Sequence, residues 1–95
     1  MEVWSYTLDL VPEQAIDIAE GAQMLCVQAQ WGEPELWVFG ERERWLVNRH
    51  IRMLRTLDDE ASGEPMPEEE EQHARYIGMF QRQQYGPAYH FFEVR

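Results

Sequence analysis

Trp4-Ser5-Tyr6-Thr7-Leu8-Asp9-Leu10 is the stretch on which the reading of this chain turns. Apolar and polar residues alternate from end to end, the two-residue period of a strand with one face on a core. A helix would instead place its apolar residues three and four apart. Trp4, Tyr6, Leu8 and Leu10 are therefore expected to face inward. Beyond Val11-Pro12, Ala15-Ile16-Asp17-Ile18-Ala19 repeats the alternation with Ile16 and Ile18 inward, and Glu20-Gly21 supplies a turn.

The pattern continues outward from this start. Gln23–Gln30 and Glu35–Phe39 are β-rich runs separated by Trp31-Gly32-Glu33-Pro34, the composition of a hairpin with a short loop. Leu25, Val27 and Ala29 are expected core residues on one arm; on the other, either Leu36 and Val38 or Trp37 and Phe39 can serve. Arg44–Leu57 carries two periods. Val47, Ile51 and Leu54 fit a helical stripe, while Trp45, Val47, Ile51 and Met53 fit a strand interrupted by Arg49, and the β character of the surroundings favours the strand.

A polar, turn-rich stretch from Asp58 leads into Pro67-Glu68-Glu69-Glu70-Glu71-Gln72-His73-Ala74-Arg75. Proline at the first helical position, carboxylates in the first turn and His73 and Arg75 in the last predict one short helix near 67–75, with Glu71 paired to Arg75. Tyr76–Arg82 and Ala88–Val94, joined by Gln83-Gln84-Tyr85-Gly86-Pro87, read as a terminal hairpin. The expected fold is mainly β, with about six or seven strands in a small, hairpin-rich, barrel-like sheet. Residues 1–95 are read as a single domain, with 58–71 as an acidic loop or insertion.

Composition narrows the function. The apolar share of 44%, with four Trp, four Tyr and four Phe, is that of a globular domain. The lone Cys26 lies in an apolar run and is expected to be a reduced, buried thiol. Residues 1–20 hold Glu2, Asp9, Glu13, Asp17 and Glu20 and no basic side chain, the opposite of a secretory leader. No apolar run approaches the roughly 20 residues that cross a bilayer. A cytoplasmic location without membrane contact is expected. All eight cations are Arg, and the net charge is −10. That balance disfavours direct binding of nucleic acid, whose affinity comes from cations displacing counterions, and favours a basic partner or none.

Val3-Trp4-Ser5-Tyr6-Thr7-Leu8, Glu13-Gln14-Ala15-Ile16-Asp17-Ile18 and Glu20-Gly21-Ala22-Gln23-Met24-Leu25-Cys26-Val27-Gln28 together resemble a small family of uncharacterised proteins from phages and prophages. Tyr76-Ile77-Gly78-Met79-Phe80-Gln81 followed by Tyr89-His90-Phe91-Phe92-Glu93 is similar to that family's closing hairpin. The resemblance covers about half of the chain and carries no established activity. The middle departs from it: where family members place a Gly-Thr-Gly-His-Pro-like segment, this chain has Arg55-Thr56-Leu57-Asp58-Asp59-Glu60 and the acidic insertion.

Candidate chemistry is sparse. His50, His73, His90 and Cys26 lack the short spacing of a zinc or haem motif, and His90 reads as a satisfied or half-exposed strand histidine. The six glycines are scattered singly, so there is no phosphate-cradling loop. Neither catalytic residues nor a metal or cofactor is expected. A small hydrolase using Cys26 is the minor enzymatic reading.

Asp58, Asp59, Glu60, Glu64, Glu68, Glu69, Glu70 and Glu71 put eight carboxylates and no cation into one stretch, while the rest of the chain sums to only −2. Such a run is either a solvated loop or closely spaced negative charge offered to a basic groove, where it competes with nucleic acid. Trp31 and Tyr85, each in a hairpin loop, are either binding anchors or rings folded back onto the core. The expected function is a phage- or prophage-encoded, non-enzymatic binding protein. It would inhibit a host or defence nucleic-acid-binding complex, with anti-CRISPR proteins as the functional analogy. The alternative is a structural or assembly module that self-associates through sheet edges or loop aromatics.

Overall fold

Alternation of side chains above and below the backbone lets each strand bury one face, and here seven strands bury theirs in a common hollow. The computed structural model describes residues 1–56 and 64–95. The strands are β1 (Glu2–Thr7), β2 (Glu13–Ala19), β3 (Gln23–Gln30), β4 (Glu33–Gly40), β5 (Leu46–Thr56), β6 (Ala74–Phe80) and β7 (Ala88–Val94). They form one curled half-barrel sheet in the order β1-β4-β3-β6-β7-β5-β2. Neighbours run antiparallel except β3 and β6, which are parallel and meet at Val27 and Gly78.

Two bulges flank that parallel seam. On β3 the register steps over Leu25, between Met24 and Cys26, and on β6 it steps over Ile77, between Tyr76 and Gly78. An extra residue bends its strand and increases the local twist, which curls the sheet at its middle. Gly78 lets the two halves approach. A Cβ there would sit 2.6 Å from the Val27 nitrogen, and its φ of +143° is itself ill suited to a side chain.

Trp4, Leu8, Ile18, Met24, Val27, Leu36, Val38, Ile51, Met53, Ile77, Phe80 and Phe91 are buried together, with Tyr6, Leu10 and Ile16 packed against them. The choice left open on β4 falls to Leu36 and Val38, each opposite a buried partner on β1 or β3. Full burial of a side chain of this size is worth about 1.5–3 kcal/mol. Residues 8–12 cross one end of the hollow. The Leu8 amide donates to the Pro34 carbonyl, and the Met53 amide to that of Pro12, so the connection is tied to β4 and β5 in turn.

Several expectations need correction. Leu25 is 43% exposed whereas Met24 is fully buried, because the bulge reverses the parity of β3. The same step puts Cys26 opposite Trp37 on the outer face, where it is half-buried. Ala29 is exposed, two residues from the hairpin turn. Trp45 precedes β5 and is exposed. The helix near 67–75 is a 3-10 turn, Glu68–His73, after which Ala74 and Arg75 already belong to β6. Glu71 and Arg75 consequently form no ion pair.

Candidate functional site

The acidic turn owes its position to one of its four consecutive glutamates. Arg52, on the outer face of β5, takes the Glu70 carboxylate with both prongs, Nε to Oε1 at 2.9 Å and Nη2 to Oε2 at 2.6 Å. The same guanidinium donates to Glu13 Oε2 at 2.9 Å, across the β2–β5 ladder. Both Arg52 and Glu70 side chains are largely covered, at 15% and 18% exposure. Two-pronged, charge-assisted hydrogen bonds of this kind are among the stronger polar contacts available. Arg52's hydrogen bond holds the Glu70 carboxyl below the usual carboxylate range, with burial acting in the opposite direction.

Backbone bonds fix the segment on either side of that clamp. The Glu64 amide donates to the Arg55 carbonyl, the Arg55 amide returns a bond to Glu64 Oε1, and the Arg95 amide donates to the His73 carbonyl. Residues 64–73 are thereby tied to β5 at one end and to the close of β7 at the other. Glu64 also approaches Arg55 as an ion pair at 3.6 Å. Glu68, Glu69 and Glu71 remain exposed. Among the described residues these three form no ion pair within the chain. Asp58, Asp59 and Glu60 lie outside the described residues.

Trp31 and Tyr85 both point away from the core, at 93% and 86% exposure. They share one end of the sheet. Because β3 and β6 run parallel, the turn after β3 and the loop after β6 emerge side by side, and Glu33 and Arg82 span them at 3.6 Å. The 3-10 turn precedes β6 and so sits at the opposite end. Glu68, Glu69 and Glu71 are thereby set apart from Trp31 and Tyr85, whereas Glu64, bonded to Arg55 opposite Tyr89, lies nearer the aromatic loops.

Two further constellations escaped the sequence reading. On the outer face, Tyr76 packs edge-on against Phe92, with ring centroids 5.2 Å apart. Its hydroxyl lies 3.1 Å from His90 Nδ1, while His90 Nε2 lies 3.2 Å from the Thr56 hydroxyl, which donates to the Ala88 carbonyl. Burial pushes the Tyr76 phenol up, which keeps it a neutral donor. This chain of bonds stitches β5, β6 and β7 and ends on a backbone carbonyl. The second constellation is the buried pair of Arg49 and Glu93, beside an open concavity of about 520 Å³ lined by Gly21, Ala22, Asn48 and His50 among others. Only the alternation of Arg49 with Val47 and Ile51 hinted at it.

Among the described residues, no three of His, Cys, Asp and Glu come together as a metal cage, and no helix is long and apolar enough to cross a membrane. A family model described as a domain of unknown function (DUF7352) matches residues 1–95. No curated protein and no solved structure matches the chain.

Proposed function

We propose that this chain, which belongs over residues 1–95 to the DUF7352 family, is a non-enzymatic binding protein that offers the carboxylates of Glu68, Glu69 and Glu71 to a basic protein surface. The observation that supports this reading is the clamp of Arg52 on Glu70. It turns one carboxylate inward and holds its three neighbours outward on a short, tethered turn. Charges this close lie within the Debye length of about 8 Å at physiological salt and act as a group. A tethered turn also has less freedom left to lose on association than a coil.

In its finer form the reading is a phage- or prophage-encoded protein that acts stoichiometrically in the cytoplasm of a bacterial host. There it would block a complex whose basic groove binds nucleic acid, as anti-CRISPR proteins do. Small size, acidity and the resemblance of the chain's ends support that context. The excess charge of −10 would repel nucleic acid itself while steering the protein toward a cationic groove.

The test is capture from host lysate by the protein and by a variant carrying Glu68→Arg, Glu69→Arg and Glu71→Arg, with Glu70 kept so that the clamp survives. The expected result is a basic partner whose capture weakens with salt and is lost with the variant. Equal capture by both proteins at every salt concentration would rule the acidic turn out.

A further inference from the structure

The turn between β3 and β4 is a two-residue hairpin turn in which both central residues have positive φ, 55° at Trp31 and 77° at Gly32. Such turns suit Asn-Gly, because a side chain at positive φ brings its Cβ against the neighbouring carbonyl. A tryptophan at the first position costs about 1–2 kcal/mol. Among the described residues it gains little in return, since the ring is 93% exposed and stacks on no other aromatic there.

A receiving site lies at the same end. Leu10, Arg82, Gln83, Gly86, Pro87 and Tyr89 line a cavity of about 180 Å³. Its loop wall is held in shape by Gln81, whose side-chain amide donates to the Gly86 carbonyl at 2.8 Å and the Gln84 carbonyl at 3.4 Å. Tyr85 stands exposed on that wall.

We propose that Trp31 of one copy seats in this cavity of a second copy and receives that copy's Trp31 in return, making a two-fold dimer joined through this end. A self-complementary interface needs knob and hole on the same patch, and here they share adjacent loops. The area suffices. Each aromatic ring buries about 150–250 Å² and covers a similar area of its receiver, so Trp31 and Tyr85 from both copies reach roughly 1,200–2,000 Å², the size of a stable specific interface. Among the described residues, the charge of the two loop tips permits it as well. The tips 28–33 and 81–87 hold one acid and one base, Glu33 and Arg82, already paired with each other, and are otherwise rich in glutamine. The exposed carboxylates of Glu68, Glu69 and Glu71 lie at the far end. The inference goes beyond the proposed function, and a dimer of this form carries two acidic turns, one at each extremity.

Light scattering from micromolar to near-millimolar protein tests it. The expected result is a rise to twice the 11.4 kDa monomer mass. Trp31→Asn suits the turn, so it should fold with an undiminished melting midpoint yet remain monomeric. Gly86→Leu, where an added Cβ comes no nearer than 3.4 Å to Gln83, should fill the cavity and give a monomer with Trp31 intact. A wild-type chain that stays monomeric throughout, or dimerisation unchanged in either variant, overturns the proposal. Capture of a basic partner by Trp31→Asn reports on the acidic turn separately, so the two readings can fail independently.

Discussion

Arg49 on β5 and Glu93 on β7 meet as a two-pronged ion pair, Nε to Oε2 at 2.6 Å and Nη2 to Oε1 at 2.8 Å, with side chains only 16% and 4% exposed. Arg49 also donates to the Ala22 carbonyl, so one guanidinium ties three parts of the sheet. Removing a single partner from a buried pair leaves an uncompensated charge, which costs about 3–5 kcal/mol, whereas replacing both with apolar residues is often neutral. Arg49→Met is therefore expected to lower the unfolding free energy by about that amount, and Arg49→Met with Glu93→Leu to recover most of it. Urea titrations of the two variants check the sign of the recovery. A double variant as weak as the single one means that the pair itself, rather than the orphaned charge, holds the sheet.

The seam between β3 and β6 rests on Gly78. Any side chain there meets Val27 backbone, with a Cβ 2.6 Å from the nitrogen and 3.0 Å from the carbonyl oxygen. Backbone cannot swing aside as a side-chain tip can. Gly78→Ala is expected to cost about 3 kcal/mol or more, through strain and overpacking together. Gly21 is the control: its φ is also positive, at +78°, but nothing lies within 4 Å of an added Cβ. Gly21→Ala should cost only about 1 kcal/mol. Thermal melts that rank the two alike contradict the role given to the seam.

How far the chain could be read follows from where each signal resides. β1 and β2 carry their alternation locally, so their inward residues were legible; β7 was legible as a strand, but Ala88–Val94 has no such alternation and its buried Glu93 gave no signal. β3 was legible as a strand but not in parity, because nothing in Met24-Leu25-Cys26 marks which residue the ladder skips; the register is set by β4 and β6. Arg49 looked like an interruption because its partner lies forty-four positions away, on another strand. At the candidate site, Trp31-Gly32 and Tyr85-Gly86 announced turns and hence loop aromatics. The four glutamates from Glu68 to Glu71 are chemically identical, and only the tertiary position of Arg52 singles out Glu70.

The hydrogen bonds to His90 among the described residues predict one tautomer. The single Thr56 hydroxyl proton goes to the Ala88 carbonyl at 3.0 Å, so toward His90 Nε2 that oxygen must accept, and Nε2 carries the proton. Nδ1 is then the lone-pair nitrogen that takes the Tyr76 hydroxyl proton. Nitrogen-15 chemical shifts of a histidine-labelled sample at neutral pH should show the Nε2–H form. Tyr76→Phe should leave that form in place, while Thr56→Val removes its anchor. A majority of Nδ1–H in the wild type would mean that Thr56 does not donate to Ala88.

The clamp on the acidic turn should give the protein an acid-sensitive component of stability. Glu70 has its carboxyl held below the ordinary value of 4.5, first by the hydrogen bond from Arg52, with the charges of Arg52 and His50 adding to the lowering and burial opposing it. As pH falls, the unfolded chain takes up this proton before the folded one does. The stabilisation is therefore complete above pH 4.5 and lost as pH falls through the lower folded value. Melting midpoints of the wild type and Glu70→Gln, followed from neutral to acid pH, should differ by a constant amount above that point and converge below it. A gap that persists unchanged at the acid end of the series excludes Glu70 as the titrating group. At neutral pH the same variant unclamps the turn, so capture of a basic partner should weaken although Glu68, Glu69 and Glu71 are all still present. That separates the placement of the three carboxylates from their charge.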